Sequence, residues 1–478
     1  MAILNELYID GCWVPASDGA RMEIIDPADE QVVDSVPIAT EADLDRALDA
    51  AERAWRSWRE VDAWSRSAVL RRIAVLLRER APSIAEVLTE EQGKTLGESR
   101  GEILASADQF DWYADEARRI YGRVVDGHSR KVRMLVMRQP VGPVAAFTPW
   151  NFPALLPARK IAAAIAAGCS MVLKPAEEAP RTAMHLAQAC HDAGLPAGVL
   201  NVVTGVPAMV SAHLIRSDII RKVSFTGSVP VGKIILDLCA EGIKPASMEL
   251  GGHSPVLVFA NSDVEHAAEI CARGKFRNNG QVCIAASRFY VQESAAERFT
   301  ARFVDVARGL HIGNGRDPET DVGPLSNLRR IEAAESLVFD AIEKGATVAC
   351  GGARPEGFPK GFYYLPTVIS GVDTTMRLMT EEPFCPVAPI ATFTDLDDAL
   401  AQANATPYGL AGYVFAEDTR TMFLASEGLD VGMVGVNQLV IATAELPFGG
   451  VRHSGFGREG GSEGIEAYTV TKYINLRL

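Results

Sequence analysis

An alternation of short apolar segments with helix-like segments between residues 140 and 251 constrains the fold of this chain most. Apolar and β-branched residues predict strands at 141–147, 171–173, 199–203, 223–225 and 246–250. Apolar residues at helical spacing predict helices at 156–167, 182–193, 209–215 and 231–239. A helix-length crossover returns the chain in the same direction, so these strands must pair in parallel. The pattern predicts a doubly wound nucleotide-binding layer.

The length of 478 residues exceeds what one hydrophobic core usually serves, so we expect more than one domain. Residues 42–120 are predicted to be mostly helical, with interruptions at Pro82 and Gly93. A second α/β stretch runs over 254–435, and the β-branched tail 467–478 predicts a strand at a chain end. In the second stretch we predict helices near 263–277, 293–309 and 325–344, and strands near 287–292, 387–393 and 411–416.

The net charge of −14 argues against nucleic acid or an anionic membrane as a partner, because an acidic chain repels phosphate. The first residues show no basic segment followed by an apolar core, so we expect no leader peptide and a cytoplasmic protein. Eight scattered cysteines without a Cys-x-x-Cys pair predict free thiols in a reducing compartment. No His/Cys cluster has metal-ligand spacing, and we expect no bound metal.

Cys283 lies in the segment KFRNNGQVCIAAS, on a Gly/Asn-rich turn that follows a predicted helix. An exposed and electrostatically supported thiolate is a strong nucleophile. A free cysteine is more often a small buried hydrophobic residue, and the other seven, in helices, strands or apolar contexts, fit that description. The segment alone therefore favours the buried alternative.

Three further segments carry residues of chemical interest. Glu249 stands at a predicted strand end before two glycines, where doubly wound folds place function, although it could be a solvated loop acid. Asn151, between two prolines in TPWNFP, could be a preorganised oxyanion donor or a simple turn residue. Gly227 and Gly232 open a helix after a strand, as at a pyrophosphate site, but the G-x-G-x-x-G pattern is missing.

Taken together, these segments resemble the aldehyde dehydrogenase superfamily along essentially the whole chain. The resemblance is carried, in order, by TPWNFP at 148–153, LKPAEE at 173–178, FTGS at 225–228, MELGGHSP at 248–255, NNGQVC at 278–283, EEPFCP at 381–386 and PFGGVRHSGFGREGG at 447–461. It implies two doubly wound α/β domains and a small β oligomerisation arm. The implied segments are 1–118 and 140–251 for NAD binding, 252–446 for catalysis, and 119–139 and 447–478 for the arm and C-terminal segment. Family members of this kind form dimers or tetramers.

The resemblance assigns three catalytic positions. Cys283 matches the thiol that attacks the aldehyde, and Asn151 matches the oxyanion donor, partnered by the Cys283 backbone N–H. Glu249 matches the base that activates water to hydrolyse the thioester. Members that pass the acyl group to coenzyme A tend to lack this glutamate, so its presence favours a free acid as product.

The cofactor positions also follow from the resemblance. They are Trp150, Lys174, Glu177, Gly227, Ser228, Leu250, Glu382 and Phe384. Lys174 and Glu177 match positions that hold the adenosine ribose, and Ser228 matches a pyrophosphate contact. A carboxylate at Glu177 can hydrogen-bond both ribose hydroxyls and repels a 2′-phosphate, so we expect NAD, with NADP as the alternative.

The closest resemblance within the superfamily is to succinate-semialdehyde and α-ketoglutarate-semialdehyde dehydrogenases. Arg159 and Arg277 match positions that hold the far carboxylate of the substrate, and guanidinium groups pair bidentately with carboxylate. Phe152 and Phe448 are assigned to the substrate pocket as well. Spacing alone would allow two surface arginines instead.

The chain departs from the semialdehyde pattern at three positions. Ala442 replaces a serine of the carboxylate clasp, with Thr443 beside it, so the pocket could be wider. Ala285 replaces a redox-active cysteine, and Cys385 stands where the family usually has glycine. The expected substrate is a short aldehyde with a terminal carboxylate. The alternatives are a broad-specificity enzyme, a bulkier acidic or aromatic aldehyde as substrate, a coenzyme A-acylating reaction and a non-catalytic protein on this fold.

Overall fold

A computed structural model describes residues 4–478, so the first three residues of the predicted NAD-binding domain lie outside the described residues. In chain order the strands are β1 Leu7–Ile9, β2 Cys12–Val14, β3 Arg21–Ile25, β4 Val32–Pro37, β5 Arg123–Asp126, β6 Val132–Pro140, β7 Val144–Phe147, β8 Met171–Lys174, β9 Leu200–Val202, β10 Lys222–Gly227, β11 Ala246–Leu250, β12 Ser254–Val258, β13 Ala286–Gln292, β14 Thr347–Cys350, β15 Thr367–Ser370, β16 Val387–Phe393, β17 Ala411–Phe415, β18 Met433–Val436, β19 Gly455–Phe456 and β20 Thr469–Arg477.

The helices alternate with these strands through most of the chain. They are α1 Glu41–Trp58, α2 Ala63–Gln92, α3 Leu96–Glu116, α4 Leu155–Ala167, α5 Arg181–Asp192, α6 Pro207–Arg216, α7 Val229–Glu241, α8 Val264–Phe276, α9 Ala296–Arg308, α10 Leu328–Glu343, α11 Arg377–Thr380, α12 Leu396–Ala403, α13 Thr419–Gly428 and α14 Glu463–Glu466. Among residues 4–478, none of these helices is long and apolar enough to cross a membrane.

The first sheet has the strand order β19-β11-β10-β7-β8-β9-β1-β2. Strands β11, β10, β7, β8 and β9 pair in parallel, as the alternation of the sequence predicts. Along β7, Val144 and Ala146 enter one hydrophobic core, whereas Ala145 and Phe147 enter another. Because successive strand residues point to opposite faces, helices must cover both sides, and this part of the fold is doubly wound.

The second sheet has the strand order β14-β15-β16-β13-β12-β17-β18 and is parallel except at β14. The predicted strands at 287–292, 387–393 and 411–416 are confirmed as β13, β16 and β17. Sequence reasoning missed β12, because only the loop 251–253 separates it from β11 and the whole segment reads as one run. The predicted α/β fold class is confirmed for both sheets.

A third sheet, β20-β6-β5, is antiparallel and forms an arm. It joins the predicted tail strand to the segment 119–139. Its apolar side chains face outward, and Tyr473 is 76% and Val124 70% exposed. The segment 447–478 contributes to two sheets, since β19 also lies on the edge of the first sheet beside β11.

The prediction that Pro82 interrupts a helix is wrong, because Pro82 lies inside the continuous helix α2. Proline removes one helical N–H and frees one carbonyl, and Pro82 is on the exposed face, where solvent can satisfy that carbonyl. Gly93 does end α2, in the left-handed conformation with φ 96°. The N-terminal strands β1 to β4 were not predicted, since each is short and bounded by turns.

Candidate active site

The loop that precedes Cys283 reverses direction through three consecutive left-handed residues. Asn278, Asn279 and Gly280 have φ values of 46°, 55° and 70°. Asparagine and glycine are the residues that enter this region at least cost, which explains the Asn-Asn-Gly sequence. Helix α8 ends just before them. The reversal brings Cys283 to a cleft that is lined by strand-end and loop residues of both sheets.

Cys283 is half-buried, whereas cysteines 169, 190, 239, 271 and 385 are buried. The prediction that all the other cysteines are buried is wrong for Cys12, which is exposed, and for Cys350, which is half-buried. Both lie on short strands at sheet margins, where a small side chain need not face a core.

Burial raises the pKa of the Cys283 thiol to about 12, and the positive charge of Arg159 is the main influence that lowers it. The neighbouring carboxylates Glu382 and Glu249 raise it further. A thiol with this pKa is protonated at neutral pH, so the nucleophilic form depends on added positive charge or on proton transfer.

Asn151 is 2% exposed and its side chain reaches the catalytic loop. The Nδ2 of Asn151 donates to the carbonyl oxygen of Gln281 at 3.0 Å. The Nδ2 of Asn278 donates to the carbonyl oxygen of Asn151, also at 3.0 Å. Among residues 4–478, the second N–H of the Asn151 amide has no acceptor and can donate to a ligand. An amide that is fixed in this way to the backbone of Gln281, two residues before Cys283, has the properties of an oxyanion donor.

Glu249 lies on β11 and is 3% exposed. Neither of its carboxylate oxygens has a hydrogen-bond partner among residues 4–478. A Cβ atom at Gly449 would lie only 2.9 Å from Oε1, so the glycine leaves the room that the carboxylate occupies. Burial raises the pKa of Glu249 well above its usual range, the negative charge of Glu459 raises it further, and Lys160 opposes both.

Lys160 and Glu459 form a buried ion pair beside Glu249, with Nζ 2.5 Å from Oε1. The ammonium also donates to Ser224 Oγ at 3.1 Å. Sequence reasoning missed this pair, although one signal was present. Helix α4 is otherwise almost wholly apolar, and two adjacent cations, Arg159 and Lys160, need partners inside such a helix.

A cleft of about 790 Å³ is lined by Cys283, Glu249 and Asn151 together with all eight predicted cofactor residues. The cofactor residues that line it are Trp150, Lys174, Glu177, Gly227, Ser228, Leu250, Glu382 and Phe384. The catalytic and cofactor predictions therefore converge on one cavity.

Lys174, one of these eight residues, lies at the end of β8. Its Nζ lies 2.6 Å from Oε2 of Glu177, which fixes the carboxylate at the mouth of the cleft. The rings of Trp150 and Phe384 meet edge to face with centroids 5.6 Å apart. Both rings line the cleft that contains Cys283.

The residues present fit a dinucleotide. Helix α7 begins in the cleft at Ser228, whose side chain makes no capping hydrogen bond within residues 4–478. The backbone N–H groups of Val229 and Val231 can therefore receive a phosphate, whereas Pro230 has no N–H. Glu382 accepts from the backbone N–H of Gly252 at 3.0 Å, and a Cβ atom at Gly251 would lie only 2.1 Å from its carboxylate. Burial raises the pKa of Glu382 to about 7.

The predicted substrate residues lie around Cys283 but at different depths. Arg159 is 2% exposed, with its guanidinium 4.2 Å from the centroid of the Phe448 ring. Arg277 is exposed, with its guanidinium 5.5 Å from the centroid of the Phe152 ring. Phe152 and Phe448 belong to one hydrophobic core, against which Cys283 and Ala442 also pack.

A second cavity of about 580 Å³ opens on the other side of the catalytic loop. Arg277, Val282, Ile284 and Leu439 line it. Arg159 lines neither this cavity nor the cleft around Cys283. It is buried against Phe448, whereas Arg277 is exposed at the mouth of the second cavity. The hydroxyl of Thr443, next to Ala442, is buried and has no hydrogen-bond partner in the described part of the chain.

Cys385 is accommodated without displacing the neighbouring loop. Its side chain is buried, and its carbonyl oxygen would lie 2.5 Å from a Cβ atom at Gly280. The close packing is therefore made by the backbone of Cys385 against a glycine, and the extra side chain points into the core that contains Tyr364 and Met379.

Comparisons with known proteins agree with this geometry. Residues 13–474 match the model of the aldehyde dehydrogenase family. The glutarate-semialdehyde dehydrogenase of Pseudomonas putida is 42% identical over 470 residues, which cover 98% of this chain and 97% of that protein. The NADP(+) succinate-semialdehyde dehydrogenase GabD of Escherichia coli is 42% identical, with 99% of this chain and 98% of that protein covered.

Two further proteins are similar over almost their whole length. The 4-(hydroxymethyl)benzenesulfonate dehydrogenase TsaD1 of Comamonas testosteroni is 44% identical, with 98% of both chains covered. A crystal structure of an NADP-dependent enzyme from E. coli is 41% identical and has a TM-score of 0.97, with 99% of this chain and 98% of that chain covered.

Proposed function

The chain belongs to the aldehyde dehydrogenase family, and from that membership we propose that it oxidises a short aldehyde with a terminal carboxylate to the corresponding acid. The observation that carries the substrate class is the buried guanidinium of Arg159 beside Cys283. A buried cation needs an anionic partner, and the Nε of Arg159 has no hydrogen-bond partner among residues 4–478. A substrate carboxylate would supply that partner.

In the proposed reaction, the Cys283 thiol releases its proton to solvent, and the resulting thiolate adds to the aldehyde carbon to form the anion of a thiohemiacetal. The oxygen that becomes negative lies between the free N–H of Asn151 and the backbone N–H of Cys283. A nicotinamide dinucleotide held by residues such as Glu177, Ser228 and Glu382 would supply the acceptor for the hydride that leaves the carbon. The product on Cys283 is a thioester, and the reaction is balanced as a two-electron oxidation of the aldehyde.

Glu249 is proposed to act in the second half of the reaction. Its carboxylate takes a proton from water, and the resulting hydroxide attacks the thioester carbon, which breaks the C–S bond and releases the acid. A coenzyme A-acylating reaction would need no such base. The carboxylate of Glu249 is buried and has no hydrogen-bond partner in the described residues, which supports a role in which it exchanges protons.

We propose NAD as the preferred cofactor. Glu177 stands at the mouth of the cleft with Lys174, where a carboxylate can bind the ribose hydroxyls and disfavours a 2′-phosphate. A similar protein and a similar crystal structure are named for NADP, so family membership does not fix the cofactor. The proposed preference for NAD rests on Glu177. The ratio of kcat/KM for the two cofactors tests it, and a clear preference for NADP would refute it.

The assembly and location are also proposals. The outward-facing apolar residues of the arm sheet, such as Tyr473 and Leu478, support a homodimer or homotetramer built on that arm. The free cysteines support a reducing compartment such as the cytoplasm.

A panel of aldehydes tests the substrate class. We expect succinic and glutaric semialdehydes to exceed hexanal and benzaldehyde in kcat/KM by about tenfold to hundredfold, since each good charged contact contributes this much discrimination. An aromatic aldehyde with a sulfonate tests the alternative suggested by the similar benzenesulfonate dehydrogenase. If uncharged aldehydes were the best substrates, the proposed role of the arginines would be wrong.

A further inference from the structure

Lys94 lies behind the active-site loop that carries Asn151 and has no assigned role. It follows the end of α2 and the left-handed Gly93, and its side chain is 1% exposed. Its Nζ donates to the carbonyl oxygen of Asn151 at 2.7 Å and to Oε2 of Glu102 at 2.6 Å. A buried ammonium thus binds the backbone of the predicted oxyanion donor directly.

Glu102 holds the other end of the same loop. Its Oε1 accepts from the backbone N–H groups of Ala154 at 2.8 Å and Leu155 at 3.1 Å, which begin helix α4. The N-cap residue of α4 is Ala154, which has no side-chain oxygen, so the carboxylate of Glu102 caps the helix from α3. The Lys94–Glu102 pair therefore forms hydrogen bonds with the backbone of this loop at Asn151 and again at Ala154.

The carbonyl oxygen of Asn151 also receives a bond from the catalytic loop. Asn278 donates to it at 3.0 Å, and Asn278 in turn accepts from Nε2 of Gln92 at 3.0 Å. The Oε1 of Gln92 accepts from the backbone N–H of Lys94 at 3.0 Å. The end of α2 is thereby tied to both loops that meet at Cys283.

The ring of Phe152 adds a further contact, because the Lys94 ammonium lies 4.1 Å from its centroid. A cation over an aromatic face is attracted to it, especially where water is excluded. The backbone of Asn151 and the ring of the next residue are thus fixed by one charge.

We propose that Lys94 is a positioning residue for catalysis, which acts on the substrate only through Asn151. This inference rests on the proposed function, in which the Asn151 amide stabilises the negative oxygen. An oxyanion donor is effective only when it is held in place before the charge develops. Without the ammonium, the Asn151 carbonyl loses its charged donor and the side-chain amide can move away from its productive position.

The test is a double-mutant cycle on Lys94→Met and Asn151→Ala. The rate constant of the first turnover is measured by the rapid formation of reduced cofactor. We expect Lys94→Met to slow it about 10- to 100-fold, with the KM for the cofactor unchanged. We expect the double variant to be no slower than Asn151→Ala, because Lys94 has no other route to the reaction. If the double variant were slower than Asn151→Ala by the same factor that Lys94→Met shows alone, the inference would be wrong. A wild-type rate in Lys94→Met would overturn it as well.

Two further variants separate positioning from folding. Lys94→Met leaves Glu102 buried without its cation, so Lys94→Met combined with Glu102→Gln keeps the pair neutral while the amide oxygen can still cap α4. We expect the same slow first turnover from it, and a wild-type rate would overturn the inference. Lys222→Met removes another buried ammonium, 2.7 Å from Ser247 Oγ, and should lower thermal stability without slowing the first turnover.

The two proposals fail in different ways. If Asn151→Ala reacted at the wild-type rate, the proposed oxyanion role of Asn151 would be wrong, and the inference about Lys94 would fall with it. If Asn151→Ala were slow and Lys94→Met were not, only the inference about Lys94 would be wrong.

Discussion

The two sides of Cys283 differ in how tightly the structure holds their polar groups. On one side, Asn151 is bonded through its amide and its carbonyl to Gln281, Asn278 and Lys94. On the other side, the carboxylate of Glu249 is buried without a hydrogen-bond partner in residues 4–478. A group that stabilises developing charge gains from being fixed, whereas a group that takes and releases a proton gains from freedom to move.

The difference also concerns charge. The fixed side carries a buried ion pair, Lys94 with Glu102, which binds the backbone. The Glu249 side has the ion pair of Lys160 with Glu459, which acts on Glu249 through charge and not through a hydrogen bond within residues 4–478. Glu459 raises the pKa of Glu249 and Lys160 lowers it. The structure therefore separates geometric control from control of protonation.

The largest expected effect on hydride transfer is at Asn151. Asn151→Ala should reduce the rate of hydride transfer about 10²- to 10³-fold, because it removes one donor to the negative oxygen. The first-turnover rate constant measures this directly. Asn261→Ala, which removes a surface amide bonded to Asp418, is the matched control and should react as the unaltered protein. A purely steady-state defect with a normal first turnover would break the contrast between the two sides.

A smaller effect is expected at Arg159, which influences both sides. Arg159→Leu should lower kcat/KM for a carboxylate-bearing aldehyde about 10- to 100-fold, since it removes the charged partner of the substrate. Hexanal should lose much less. Arg277→Leu is the comparison, and we expect it to cost less than Arg159→Leu because Arg277 is exposed to solvent. Equal losses for both aldehydes would show that Arg159 acts on Cys283 and not on the substrate.

The smallest change in maximal rate is expected from the charges beside Glu249. The base is active when ionised, and its pKa is raised, so hydrolysis of the thioester increases as pH rises through that pKa. Glu459→Gln removes a negative neighbour and should move this increase to lower pH. Lys160→Met removes a positive neighbour and should move it to higher pH. Profiles of the steady-state rate against pH test both signs, and shifts in the same direction would contradict the assignment.

Much of the fold was predictable because it rests on local patterns. The parallel order of β7 to β11 follows from crossovers of helical length, and the catalytic loop follows from an Asn-Asn-Gly sequence that enters left-handed conformations. The continuity of α2 through Pro82 was not predictable, because it depends on which face of the helix meets solvent.

The candidate site divides in the same way. Cys283, Glu249 and Asn151 were identified by family-specific segments, and the structure brings them into one cleft. Lys94, Glu102, Lys160 and Glu459 were missed, since each belongs to a pair of residues that are distant in the chain or carry no catalytic motif. Their roles depend on distances that only the folded chain defines.

In the proposed reaction Cys283 carries a thioester, and Glu249 activates the water that hydrolyses it. Glu249→Gln separates these two steps when it is mixed rapidly with succinic semialdehyde and NAD. We expect a burst of reduced cofactor of about one equivalent per site, then turnover slowed about 10²- to 10⁴-fold, with the acyl group found on the Cys283 peptide by mass spectrometry. Normal turnover, or a burst without acylated Cys283, would contradict the proposed reaction.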